Sequence, residues 1–390
     1  MHGNRLYQLP EEAVTLAERF RERGYETAGF IAAFPCSRRF GLAQGFEVFD
    51  ESFPERGKPR VGASGNVNTG MAQRDAAATT DAALDWLGRR RGDGPFFLWV
   101  HYFDPHDPLL RPPPAFTAPF MEGFPEHQKM EMLLANDMGG FVVKYTDRPE
   151  IMRPWLRRLY DAEVAYADIH LGRLVREIGG LGLAERTVMA VTADHGEGLG
   201  DHDWWGHGIL YQEQLHVPLA LAGPGVPAGV AIPDRVRHID VAPTLLELAA
   251  GAGTPPEMEG RSLVPLITAR AAGQVPPDGS LPGPAYADSV TLMRYGAVFS
   301  RGVTEEKDDQ LYAWIADDLK WIRHRLRPGE SELYDLAADP DEQVNLFASR
   351  PEDAARLDAS LEERSPMTED VDFSLPADRD VREKLRSLGY

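Results

Sequence analysis

The sequence predicts an α/β protein: a three-layer core whose mostly parallel central sheet is flanked by helices, then a small C-terminal antiparallel α+β subdomain. Three observations carry this. Short continuous apolar runs alternate with amphipathic helical stretches up to residue 250, the pattern of strands covered by helices on both faces. A Pro-, Gly- and Ala-rich stretch at residues 271–285 reads as a linker. Beyond it, residues 311–325 and 332–336 read as antiparallel strands of a smaller unit. The expected organisation is a core over 1–270, a linker over 271–285, a subdomain over 286–350 and a helical tail over 351–390 with a Pro-containing break near 365–376.

The elements follow in order. Pro10-Glu11-Glu12 is a helix-start signal, Ala13, Leu16, Ala17 and Phe20 share one face, and Gly24 is a stop. Residues 27–33 then read as a buried strand. A second helix covers 74–90 and leads into a strand over 96–103. Trp155, Leu159, Ala162, Tyr166 and Ile169, continued by Leu174 and Ile178, mark a long amphipathic helix. Residues 187–192 and 217–222 read as buried strands and 241–250 as a helix. In such folds ligands collect at the carboxyl ends of the strands.

Composition narrows the partners. The 390 residues hold 41 Lys+Arg against 61 Asp+Glu, a net charge of −20, which argues against nucleic acid or an anionic membrane but leaves room for a small anionic substrate in a local pocket. No apolar run approaches the ~20 residues of a membrane span. Met1-His2-Gly3-Asn4-Arg5 has no apolar signal region, which implies a cytoplasmic protein if Met1 is the true start. The single cysteine, Cys36, rules out an intrachain disulfide and reads as a partly buried structural residue.

Two clusters carry chemistry. Residues 194–207 hold Asp194, His195, Glu197, Asp201, His202, Asp203 and His207 directly after a predicted strand. Asp and neutral imidazole ligate divalent cations, and Gly196, Gly198 and Gly200 let one loop bring them together. Taken alone, the run also fits a solvated Gly/Asp turn. His101, Asp104, His106 and Asp107 stand at the end of another apolar strand, stiffened by Pro105 and Pro108. A capped strand end is the alternative there. Tyr211, Glu213 and Gln214 read as packing around the next helix, and residues 107–150 as either a lid or a packed excursion.

The run TADHGEGLGDHDWWGHGILYQEQLHVPLALAGPG resembles the signature region of the sulfatase family, in the alkaline-phosphatase-like superfamily. FFLWVHYFDPHDP is similar to that family's strand ending in a Pro-His-x-Pro turn. LAERFRERGYETAGFIAAF, RLYDAEVAYADIHLGRLV, HIDVAPTLLELAA, ELYDLAADPDEQVNL and REKLRSLGY follow in family order. The resemblance implies metal ligation by Asp194 and His195. It implies contact of His106 with the ester near its leaving oxygen, and a place for His207 beside the substrate. It implies Ca²⁺ or Mg²⁺ as cofactor, or Zn²⁺ or Mn²⁺ as in the phosphatase branches, and a small anionic ester as substrate. The implied activity is hydrolysis of sulfate esters, with phosphodiester or phosphonate monoester hydrolysis, or a degenerate binding role, as alternatives.

The family's Asp-Asp strand and its Cys-or-Ser-x-Pro/Ala-x-Arg nucleophile precede a Pro-x-x-His-Gly turn whose end resembles Met1-His2-Gly3. Cys36 is no substitute, because Arg38 and Phe40 stand where Pro or Ala and then Arg are required. The resemblance therefore implies impaired or absent turnover, from a start assigned inside a longer frame or from a shortened homologue.

Overall fold

The computed structural model describes residues 8–53, 60–61, 67–68, 73–90, 92–106, 112–130, 148–204, 206–289 and 309–364. The Met1–Gly3 turn, Asp107, Trp205, much of the 107–150 excursion and the tail beyond Arg364 lie outside the described residues.

The first helix, α1 (Leu16–Arg21), begins later than Pro10 suggests. Residues 10–13 form a turn closed by the Ala13 amide on the Pro10 carbonyl. The helix starts at Thr15, whose hydroxyl accepts the Glu18 amide while the Glu18 carboxylate accepts the Thr15 amide. This reciprocal cap satisfies two amide donors that a helix start otherwise leaves open.

β1 (Glu26–Phe30) pairs in parallel with β2 (Val48–Asp50) on one side and β3 (Phe96–Val100) on the other. Between them in sequence, α2 (Ala76–Arg89) starts at Asp75, whose carboxylate accepts the Ala78 amide. Ala83 of α2 packs on Ala28 and Phe30, covering one face of this sheet. On the other face Phe46 stacks with Phe97 and Trp99.

α3 (Pro114–Met121) packs beside the long helix α4 (Pro149–Gly180). Trp155, Leu156 and Leu159 of α4 form a buried cluster with Met121, Met130 and Met152, and Leu174 and Ile178 pack with Leu87 against β3. Ile169 is exposed, contrary to the predicted stripe. Each four-residue step of a helix advances about 40° around its axis. The buried series Ala162, Tyr166, Leu174, Ile178 therefore spirals around α4 and leaves Ile169 behind.

β4 (Met189–Thr192) and β5 (Leu219–Ala222) pair antiparallel with each other, and among the described residues with no other strand. They are not the fully buried strands expected: Ala190, Val191 and Thr192 are exposed. Leu219 and Leu221 pack on Leu263, Leu266 and Ile267, while the alternate residues Ala220 and Ala222 face away from that cover. The short helix α5 (Gln212–Leu215) lies between the two strands in sequence. α6 (Val241–Ala250) and α7 (Val264–Ala271) follow β5.

The C-terminal unit is a four-stranded antiparallel sheet, in the order β9 (Glu332–Asp335), β8 (Leu319–His324), β7 (Leu311–Ala316), β6 (Ala285–Ser289). One face receives Ala354, Leu357 and Leu361 of α8 (Pro351–Arg364). The other receives Ile209, Leu210, Tyr211 and Leu215, the segment that includes α5. The small sheet is thus sandwiched between a terminal helix and the loop that follows β4. No described helix is long and apolar enough to cross a membrane.

Candidate functional site

The site forms where β3 and β4 end. The His101 amide continues the β1–β3 ladder by donating to the Phe30 carbonyl, and the chain then turns through Asp104 to His106. Asp104 is buried, and its Oδ1 accepts the Ala76 amide at the start of α2. Burial pushes this carboxyl up to about 7; the amide bond opposes the rise and the nearby Asp75 adds to it.

His106, His195 and His207 converge. His195 and His207 stack with centroids 4.1 Å apart, and the His106 ring stands edge-on at 5.3 Å and 4.9 Å from them. One ring nitrogen from each histidine lies within 4.8 Å of the other two. Phe103 stacks on His106 at 4.2 Å and fixes its plane. Burial holds His106 well below its ordinary value, helped by the positive charge that His207 or His195 would carry.

Each of the other two rings is oriented through Nδ1. His195 Nδ1 donates to the Gly196 carbonyl at 2.9 Å. Its Nε2 is buried, has no hydrogen-bond partner among the described residues, and lies 3.8 Å from Asp194 Oδ2. A ring oriented this way presents Nε2 to the site, as metal-bound histidines do. His207 Nδ1 faces Glu197 Oε1 at 3.1 Å, and Glu197 is buried. Asp194 Oδ1 accepts the His195 amide, and the Ala193 carbonyl accepts His238 Nε2–H at 2.8 Å. Burial works against the Asp194 charge, but His195, His101 and the amides of Asp194 and His195 outweigh it and hold the carboxyl low.

Close backbone packing holds the loop. The Gly196 amide donates to the Gln214 carbonyl, and Gln214 Oε1 accepts the Gly208 and Ile209 amides beside His207. Leu199, His202 and Asp203 all adopt positive φ, and Asp201 and Asp203 are anchored by Arg157 and Arg153 at 2.6 Å. Of the residues expected at the site, His106, His195 and His207 share one cluster and Asp194 stands beside His195. Glu197 as the partner of His207, and His238 behind Asp194, carry no signal of that role in the sequence. The thiol of Cys36 lies near the cluster, with Sγ 3.6 Å from His101 Nε2. Burial and the charge of Asp194 push Cys36 up to about 12, and burial pushes His101 down to about 4, so both are neutral near pH 7.

The Sulfatase family model matches residues 2–252. The chain belongs to the sulfatase family. Similar sulfatases include mouse (Mus musculus) arylsulfatase K, 24% identical over 92% of this chain and 66% of that protein, and a sulfatase of Formosa agariphila, 26% identical over 87% and 66%. The matched part spans 36% of Xenopus laevis arylsulfatase K, so this chain covers less than two thirds of these curated relatives. Among solved structures, BT4656 in complex with its substrate D-glucosamine-2-N,6-O-disulfate aligns with a TM-score of 0.68 at 21% identity, over 93% of this chain and 83% of that one. A phosphonate monoester hydrolase of Agrobacterium radiobacter aligns with a TM-score of 0.65 at 21% identity, over 92% and 81%. These likenesses show the sulfatase fold, and sulfatases as a family depend on a metal.

Proposed function

We propose that the chain binds sulfate monoesters at the His106–His195–His207 cluster and serves their hydrolysis. The observation that supports this is the meeting of three imidazoles with Asp194 at the ends of β3 and β4. Asp194 Oδ2 and His195 Nε2 are close enough to share one divalent ion. A bound ion would supply Lewis-acid polarisation and offset charge on the oxygens of the transferred group.

An imidazole paired with a carboxylate suits Zn²⁺, whereas Ca²⁺ takes about six to eight oxygens and Mg²⁺ a near-octahedral oxygen set. Zn²⁺ is therefore proposed ahead of the Ca²⁺ or Mg²⁺ that the resemblance implied. His207, braced by Glu197, hydrogen-bonds a non-bridging ester oxygen. His106, fixed by Phe103 and held neutral by burial, faces the leaving oxygen and donates a hydrogen bond to it. The half-buried surroundings limit water and strengthen each of these contacts.

The test is hydrolysis of p-nitrophenyl sulfate, phosphate and phenylphosphonate by the 390-residue chain with Zn²⁺, Mn²⁺ or Ca²⁺ added. Weak, metal-dependent turnover favouring the sulfate, and lost in Asp194→Ala and His195→Ala, is the expected result. Turnover that ignores both substitutions removes the metal assignment. A preference for the phosphonate moves the reading to that class, which the likeness to phosphonate monoester hydrolase structures makes the second choice.

A further inference from the structure

We propose that Glu342, in the C-terminal unit, is a positioning residue for the strand-end site, acting through α5 and the loop that carries His195 and His207. Glu342 makes three contacts at once. Its Oε2 accepts the Gln212 amide at the start of α5 at 2.6 Å. Its Oε1 pairs with Lys320 Nζ at 2.7 Å, and both side chains are completely buried. Its carbonyl accepts His202 Nε2–H at 3.2 Å. Glu342 holds φ of +52°, a left-handed conformation that an L side chain keeps only where surrounding contacts enforce it.

The segment that Glu342 caps is the one that holds the histidines. Glu213, next to the capped Gln212, accepts His202 Nδ1–H at 2.8 Å. Tyr211 stacks flat on His202 at 3.8 Å and donates its hydroxyl to Glu332 of β9. Gln214, two residues into α5, accepts the Gly196 amide on its carbonyl and the Gly208 and Ile209 amides on its side chain. Gly196 follows His195, and Gly208 follows His207. An ion pair from Lys320 on β8 to Glu342, then hydrogen bonds through α5, therefore lead to the backbone on either side of the site.

Energetics make the path stiff. A fully buried Lys–Glu pair loses several kcal/mol when one partner is removed, because the remaining charge stays desolvated and uncompensated. The apolar contact of Leu210 and Leu215 with Ile322 and Tyr334 of the sheet holds the same segment as well. The C-terminal sheet thus sets the geometry of a loop more than a hundred residues earlier in the chain.

Amide hydrogen exchange tests this without turnover, so its failure and that of the hydrolase reading are distinguishable. Compare the 390-residue chain with Lys320→Met/Glu342→Leu, which leaves neither charge buried and no acceptor for the Gln212 amide, and with Glu342→Asp, which keeps the charge but shortens its reach to Gln212. In both variants the amides of Gly196, Gly208, Ile209 and Gln212 should exchange at least tenfold faster while those of β1 and α2 keep their protection. The ring resonances of His195 and His207 should shift as well. Unchanged exchange around α5 overturns the proposal. So does a loss of protection shared equally by β1 and α2, which would mark Glu342 as a general stabiliser.

Discussion

A Cβ placed on Gly196 would stand 2.1 Å from the backbone oxygen of Glu213. The loop carrying His195 therefore lies directly on α5, closer than any side chain permits. Gly196→Ala must push the two backbones apart and break the Gly196–Gln214 hydrogen bond. Overpacking of this kind costs about 1–3 kcal/mol. The expected result is a lower urea midpoint with at least a tenfold loss of Zn²⁺ affinity by calorimetry. Wild-type affinity in a folded Gly196→Ala protein would show that the contact does not set the position of His195.

The thiol of Cys36 stands beside the site yet is pushed up to about 12 by burial and by Asp194. A thiolate is the reactive form, so at pH 8 alkylation should run roughly a thousandfold slower than for an ordinary cysteine of value near 8.5. Labelling with 5,5′-dithiobis(2-nitrobenzoate) should be slow in the native protein and immediate in guanidinium. Rapid native labelling would refute the burial assignment.

How much of this was legible in the sequence depended on how local the cause was. Thr15 and Glu18 form a capping pair three residues apart, readable in principle, although Pro10 is the more conspicuous start signal. The strands near 27–33 and 96–103 were legible as apolar runs, whereas the three-residue β2 beside β1 was not. The exposure of β4 did not, because a run such as Met189–Thr192 looks the same whether or not both its faces are covered. His106, His195 and Asp194 stood out because strand ends and the family motif point to the same residues. The Glu342–Gln212 contact spans 130 residues, and nothing in the composition of either segment announces it.

His324 is held between Asp309 Oδ2 at 2.9 Å and Glu332 Oε1 at 3.0 Å. Arg327 also faces Asp309, and the hydroxyls of Tyr211 and Tyr334 donate to Glu332. Burial works against the charged ring, but the two carboxylates outweigh it and raise His324 above its ordinary value of 6.5. A group raised on folding contributes stability that is complete below the unfolded value and disappears as pH climbs through the folded one. The urea midpoint of the wild type should therefore decline as pH rises above 6.5, and that of His324→Asn should decline less. Parallel slopes for the two proteins would rule out this linkage.

Asp240 is completely buried at the start of α6 and accepts four hydrogen bonds: from Nε, Nη2 and the amide of Arg237, and from the amide of Arg261. Two effects compete when this pair is altered. Replacing a buried ion pair by apolar residues is often neutral, whereas leaving buried amides without an acceptor costs about 1–3 kcal/mol each. Because two of the four donors are backbone amides, the second effect should win. Arg237→Met/Asp240→Leu should remain destabilised by about 2–6 kcal/mol from the two lost amide bonds, and Asp240→Asn, which retains one acceptor oxygen, should fall between it and the wild type. The intervening residue His238 anchors the Ala193 carbonyl next to Asp194, so the same variants should also weaken Zn²⁺ binding. Full recovery of stability in the double apolar variant, measured by urea denaturation, would mean that the charge pair rather than the amide cap dominates at Asp240.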